Sequence, residues 1–384
     1  MTIAAVEEVR EVLARQGVDL SPEAVADALR AGGRPVGNEV VLSVHDALRR
    51  EVRGAGPLDP LLRQAGVTDV LVNGPDAVYL ERGDGLELTD VRFPDDAAVR
   101  RLAQRLAGAA GRRLDDASPY VDLRLADGTR FHAVLAPISR PGTMISLRVP
   151  AARVFTLEAL VAAGSLTEDG ARLLHRIVER RLAFLVSGGT GSGKTTLLAG
   201  LLSLVDPTER IVLVEDASEL RPRHPHVVAL EARPPNIEGA GEVTLRTLVR
   251  QALRMRPDRL VVGEVRGGEV VDLLAAMNTG HEGGCGTVHA NSARDVPARI
   301  EALALAAGLG REAVHAQLGS AVDVVVHLAR DRHGRRQVRE LAVLRRDSGG
   351  LVSAEPAIEF GPHGEVREHP GADELGTRLA DWKW

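Results

Sequence analysis

Gly188-Gly189-Thr190-Gly191-Ser192-Gly193-Lys194-Thr195 matches the spacing G-x-x-x-x-G-K-[ST] in full. Glycines at these places let the backbone curl so that successive N–H groups point at phosphate oxygens. The N-terminus of a following helix adds its partial positive charge. Lys194 would reach the β- and γ-phosphates, and Thr195 would ligate Mg²⁺. The context agrees: Leu182-Ala183-Phe184-Leu185-Val186-Ser187 reads as a strand entering the loop, and Thr195 to Leu204 as a helix leaving it. Of 48 basic residues only Lys194 and Lys383 are lysine. A GC-rich genome accounts for the general bias to arginine. The exception at 194 marks a place where a compact point charge is needed and a planar guanidinium does not fit.

Two further apolar strands run into acids. Ile211-Val212-Leu213-Val214 ends at Glu215-Asp216, and Leu260-Val261-Val262-Gly263 ends at Glu264. The carboxyl ends of parallel strands are where open α/β sheets bind ligands. Glu215 and Asp216 would hold Mg²⁺ or its waters there, although solvated acids at strand ends are common. Glu264 resembles the acid of a Walker B element, and glutamate reaches far enough to polarise the water attacking a γ-phosphate.

His281, Cys285 and His289 stand at i, i+4 and i+8, which on a helix would be zinc-ligand spacing. Gly280, Gly283, Gly284 and Gly286 in the same stretch oppose a helix. The expectation is a loop-to-strand segment that brings His289 to the γ-phosphate as a sensor. Arg246, Arg250 and Arg254 are spaced by four on a helix expected over Thr244–Met255, opposite an apolar face that includes Leu245, Val249 and Ala252. Such a row is more often a solvated face than a set of arginine fingers, and only an oligomer would make it catalytic.

These groups need a scaffold, and the chain changes texture along its length. Residues 1–53 read as a helical N-terminal segment: Val6, Val9, Val12 and Leu13 repeat at helical spacing, Ser21-Pro22-Glu23 resembles a helix cap, and Val40 to Val52 is a third periodic stretch. Residues 54–150 alternate short strands with turns such as Asn73-Gly74-Pro75-Asp76, Gly83-Asp84-Gly85 and Asp127-Gly128, with one helix near Ala97 to Ala110. This is expected to be a small α+β domain. Residues 151–347 alternate buried apolar strands with helices, which indicates a doubly wound α/β domain on a parallel sheet. Residues 348–384, rich in Gly, Pro and charge, are expected to form a loosely packed tail.

A length of 384 residues calls for two or three domains, and 44% apolar with 26% charged residues is ordinary globular composition. One cysteine excludes a disulfide framework. No uncharged apolar run approaches a bilayer span and no signal segment is evident, so a cytoplasmic protein is expected. A net charge of −5 and only nine aromatic residues weigh against nucleic-acid binding.

In order, the phosphate loop, Val214-Glu215-Asp216-Ala217-Ser218-Glu219-Leu220, Val262-Gly263-Glu264-Val265-Arg266-Gly267-Gly268-Glu269 and Thr287-Val288-His289-Ala290-Asn291-Ser292 closely resemble the secretion ATPases of the type II/type IV (VirB11-like) superfamily. Arg233-Pro234-Pro235-Asn236-Ile237-Glu238-Gly239 and Leu253-Arg254-Met255-Arg256-Pro257-Asp258-Arg259 narrow the resemblance to the CpaF/TadA branch of tight-adherence (Flp) pili. Gly56-Pro57-Leu58, Val72-Asn73-Gly74-Pro75 and Ile145-Ser146-Leu147-Arg148 support it, and roughly residues 50 to 345 take part.

The resemblance implies a PAS-like N-domain and a RecA-like P-loop ATPase domain, with ATP held between them in a homo-hexamer. Nucleotide-driven rocking would push or rotate inner-membrane platform proteins at the cytoplasmic face of the membrane. By motif match Gly188, Gly189, Thr190, Gly191, Ser192, Gly193, Lys194, Thr195 and Thr196 hold the phosphates, and Thr195 and Glu215 hold Mg²⁺. Glu264 is the general base and His289 the γ-phosphate sensor. Arg148, Arg233, Arg250 and Arg254 stabilise charge within or between subunits. A RecA-like nucleic-acid motor is the alternative enzyme, and a nucleotide-gated scaffold without turnover the alternative that needs no base.

Overall fold

The computed structural model describes residues 21–33, 36–38, 40–45, 54–82, 85–150, 155–236, 239–331, 334–361 and 364–380, with Val9, Val12 and Leu13 besides. Val6, the end of the Val40–Val52 stretch, Gly83-Asp84, Ile237-Glu238 and Lys383 lie outside the described residues. The chain divides into two compact units, 1–151 and 152–384.

In the first unit, helix α1 (Pro22–Ala31) begins where expected: Ser21 Oγ accepts from Ala24 N and proline occupies the first turn. Strands β1 (Asp69–Asn73), β2 (Val78–Glu81), β3 (Leu86–Leu88), β4 (Tyr120–Arg124), β5 (Arg130–Val134) and β6 (Met144–Arg148) form an antiparallel sheet in the order β3-β2-β1-β6-β5-β4. β1 alternates buried and half-buried residues, so Val70 and Val72 face a core shared with Val99, Leu102 and Leu106 of α2 (Asp96–Ala109). Gly74, at φ +74°, makes the tight turn after β1.

The second unit is an α/β domain. Its elements are α3 (Leu157–Ala162), α4 (Glu168–Glu179), β7 (Phe184–Gly188), α5 (Lys194–Leu202), β8 (Ile211–Glu215), β9 (Val227–Glu231), α6 (Leu245–Ala252), β10 (Arg259–Val265) and α7 (Glu269–Met277). There follow β11 (Cys285–Val288), α8 (Val296–Ala306), α9 (Arg311–Ala321), β12 (Val324–Arg330), β13 (Arg336–Arg346), β14 (Val352–Phe360), β15 (Val366–Glu368) and α10 (Ala372–Arg378). The sheet order is β15-β14-β13-β12-β7-β11-β10-β8-β9. From β12 to β9 every pair is parallel, and β13, β14 and β15 extend the sheet antiparallel.

The continuous apolar runs follow from burial of both faces. Phe184 and Val186 join Ile211 and Leu213 beneath α3, α4 and α5. Leu185 joins Val212 and Val214 on the opposite face, under α6, α7, α8 and α9. Thr167 and Thr244 cap α4 and α6 through their hydroxyls.

The expected loose tail is corrected by the structure. Val352 and Ala354 enter one core face, and Ile358, Phe360, Leu375 and Leu379 enter the other. Position 348 falls in the turn of the β13–β14 hairpin, whose Gly350 has φ +85°. Glu355, Glu359 and Pro356, which sits at a register shift against β13, disguise the strand in the sequence.

Candidate active site

The parallel strands deliver the chemistry-bearing residues to one edge of the sheet. β7 runs into the phosphate loop, β8 ends at Glu215, β10 carries Glu264 and β11 leads into His289. Gly193, immediately before helix α5, has a left-handed φ of +97°, and the helix has no side-chain cap, so its first amides remain for an acceptor inside the loop. Space is also tight at two of the glycines. A Cβ on Gly188 would lie 2.4 Å from Leu328 O and 2.7 Å from Ser192 Oγ, and one on Gly191 would lie 2.6 Å from Arg330 Nη2.

Lys194 is 7% exposed, and its Nζ donates to Gly188 O at 3.0 Å and Gly189 O at 2.8 Å. His289 Nδ1 lies 3.5 Å from the same Nζ, and His289 Nε2 lies 3.0 Å from Glu264 Oε1. Burial pushes the Lys194 pKa down from the ordinary lysine value, and the Glu264 carboxylate opposes that shift. The residues fit a polyphosphate: the glycine cradle is bare, and Ser192, 2% exposed, has a buried Oγ with no hydrogen-bond partner among the described residues. Thr195 and Thr196 stand half-buried at the first turn of α5. Beside the loop a cleft of about 500 Å³ is lined by Gly189, Thr190, His289, Asn291, Asp295 and Arg299.

Glu264 is aimed by a strand irregularity. Val262 pairs with Gly286 and Val265 with Val288, so β10 spends one residue more than β11 over this stretch, and Thr287 Oγ1 donates to Gly263 O at 2.7 Å. Bulges of this kind re-aim a side chain. Gly286 lets the strands close, since a Cβ there would lie 2.7 Å from Val262 O. The stretch containing Cys285 and His289 is thus strand and loop. Cys285 is fully buried and its thiol pKa is pushed up to about 12 by burial.

Glu215 is placed differently from its neighbour in the reading. It is 3% exposed, and its Oε1 accepts from Glu219 N and Leu220 N, both at 2.9 Å. Asp216 pairs with Arg266. The arginine row is held against α7: Arg246 and Arg250 reach Asp272 at 2.8 and 2.7 Å, and Arg254 Nη1 donates to Arg250 O at 2.7 Å. Arg233 Nε donates to Gly241 O at 2.8 Å, and Arg148, in the first unit, pairs with Asp69 at 3.0 Å. Within the second unit, Arg233, Arg246, Arg250 and Arg254 stay outside the Lys194–His289–Glu264 contacts among the described residues.

Two residues of β12 escape the sequence reading. His327 Nδ1 lies 2.9 Å from Ser187 Oγ, immediately before the phosphate loop. Arg330 donates to Gly191 O through Nη2 at 2.8 Å and Nε at 3.1 Å. They are 140 and 139 residues from their partners, and only the order of strands, with β12 next to β7, reveals them.

A family model described as type II/IV secretion system protein matches residues 51–358. A putative conjugal transfer protein of Mycobacterium tuberculosis is 59% identical over 82% of this chain and 91% of its own length. The type IV secretion system protein VirB11 of Brucella suis is 31% identical over 72% of this chain and 84% of its own. Among solved structures, the pilus retraction motor PilT with bound ADP aligns over 82% of both chains with TM-score 0.52 at 21% identity, which shows a shared fold. Taken with the phosphate loop and the acid and histidine beside it, these matches show that the chain belongs to the type II/IV secretion system protein family and is an ATPase with a RecA-like domain.

Proposed function

We propose that this ATPase is a cytoplasmic motor, docked peripherally at the inner face of the membrane. It couples Mg-ATP hydrolysis to assembly or retraction of a tight-adherence (Flp) or type IV-like pilus, or to type II/IV secretion. It works as a homo-hexamer on inner-membrane platform proteins. The convergence of Lys194, His289 and Glu264 at one sheet edge carries the reading. The loop amides and Lys194 bind the β- and γ-phosphates, and Thr195 and Thr196 orient them from the first turn of α5. Glu264 accepts the proton of the attacking water. His289, which faces Glu264 with one ring nitrogen and Lys194 with the other, relates the base to the γ-phosphate. Bound Mg²⁺ supplies charge neutralisation on the phosphates. Thr195 would hold it, with Glu215 acting through water; Oε1 of Glu215 is already engaged by backbone amides, which favours a supporting role.

The segments 233–239 and 253–259 support the tight-adherence branch, and the names of the relatives keep conjugal transfer among the related systems. No helix among the described residues is long and apolar enough to cross a membrane. Arg148, Arg233, Arg250 and Arg254 are assigned to charge stabilisation in the assembled ring, where a neighbour's site would engage them.

The test is a deletion strain carrying the wild type or Lys194→Ala, together with the two purified proteins. The variant is expected to keep its melting midpoint, lose hydrolysis and lose surface filaments. Retained hydrolysis by the folded variant refutes the site, and turnover stimulated by single-stranded DNA favours the nucleic-acid motor instead.

A further inference from the structure

Lys194 acts on the nucleotide from inside the phosphate loop; Arg330 approaches the same loop from outside. β12 runs parallel to β7 with Val326 opposite Val186, His327 opposite Ser187 and Leu328 opposite Gly188. β7 ends there and turns into the loop, while β12 continues for two more residues and leaves Arg330 level with the crest. Its Nη2 and Nε both donate to Gly191 O, at 2.8 and 3.1 Å, so the guanidinium grips one carbonyl along a whole edge.

The peptide unit after Gly191 is planar, so its C=O and the Ser192 N–H point in opposite directions. With the carbonyl drawn outward to Arg330, the Ser192 N–H faces inward, where it donates to Gly189 O at 3.3 Å. Gly189 O also accepts from Lys194 Nζ at 2.8 Å. An amide and an ammonium thus already converge on one oxygen, the donor arrangement that a phosphate oxygen requires. Glycine suits position 191: its φ is +67°, and a Cβ there, 2.6 Å from Arg330 Nη2, would push the flexible guanidinium off the carbonyl.

We propose that Arg330 is a positioning residue for the nucleotide site: it locks the Gly191–Ser192 peptide in the orientation that receives the phosphates of ATP or ADP. The proposal rests on the phosphate-loop reading above and deepens it. Lysine cannot substitute fully, since a point charge lacks the two fixed donors.

The experiment compares Arg330→Gln, Arg330→Lys and wild type for Kd of Mg-ADP and Mg-ATP, kcat and melting midpoint. If the competent loop falls to about a tenth of the population, apparent Kd rises about 10-fold. Arg330→Gln is expected to show that loss equally for ADP and ATP, with kcat at saturation changed less than about 3-fold and the midpoint unmoved; Arg330→Lys should recover part of it. In a double-mutant cycle on Kd, Gly191→Ala and Arg330→Ala should be non-additive, because, beyond the backbone strain at φ +67°, the alanine methyl acts by displacing the guanidinium from Gly191 O. An unchanged Kd overturns the proposal. A loss confined to ATP overturns it too, making Arg330 a direct γ-phosphate contact. Additive effects in the cycle also overturn it. Failure of the wild type itself to bind nucleotide would instead refute the phosphate-loop reading.

Discussion

Glu264→Gln separates catalysis from stability at a position where the structure makes the two effects very unequal. The Glu264–His289 contact is 3.0 Å, but both side chains are 37% exposed. Exposed pairs of this kind are worth about 0–1 kcal/mol, and the amide oxygen of glutamine still accepts from His289 Nε2. The melting midpoint should therefore move by no more than about 4 °C. Turnover is another matter, since the amide cannot take a proton. A loss of about 10²-fold or more is expected, or about 2.7 kcal/mol on the barrier. A secondary effect follows from charge. Glu264 opposes the burial that lowers the Lys194 pKa. Without it Lys194 deprotonates at lower pH, so the alkaline loss of Mg-ATP affinity should begin earlier in the variant. The assay is phosphate release at saturating Mg-ATP, normalised to titrated sites, beside nucleotide binding from pH 7 to 10. Near-normal turnover with intact binding refutes Glu264 as the base, and turnover and melting collapsing together refutes the separation argued here.

Other outcomes follow from the same geometry. Gly263→Ala places a methyl 2.7 Å from Glu215 Cγ; overpacking costs about 1–3 kcal/mol, so the melting midpoint should fall by roughly 2–12 °C, and an unmoved midpoint contradicts the role of Glu215 as a buried brace. Burial lowers the His327 pKa below the ordinary value, with Asp295, Lys194, Ser187 and the Asn291 backbone facing it. Below about pH 6.5 the unfolded chain therefore takes up a proton that the native one resists, and stability falls with pH across that window; His327→Asn should flatten the fall of the midpoint between pH 7.5 and 5.5, and an identical slope argues against it. If Arg250 or Arg254 acts in a neighbour's site, turnover per subunit should rise with concentration, and mixing Arg250→Ala or Arg254→Ala subunits with Glu264→Gln subunits should restore part of it. Absence of recovery confines that arginine to the Asp272 cluster seen in one chain.

The phosphate loop, the apolar strands that deliver it and the acid at the end of β10 were legible because each is local. Glycine spacing, a lysine among arginines and runs buried on both faces carry their meaning within about ten residues. The helix cap at Ser21 was local too. What tertiary structure alone decided depends on residues far apart in the chain. Glu215 and Glu264 look alike as acids closing apolar strands, yet Glu215 is buried on backbone amides while a bulge aims Glu264 toward His289. The segment after 348 lacks the composition of a core strand, but β13 offers it an edge, and pairing buries its alternate apolar side chains. His327 and Arg330 carried no signal in their own neighbourhood. They meet the phosphate loop because β12 pairs with β7, and strand order is set by how all the helices and strands bury their apolar faces together.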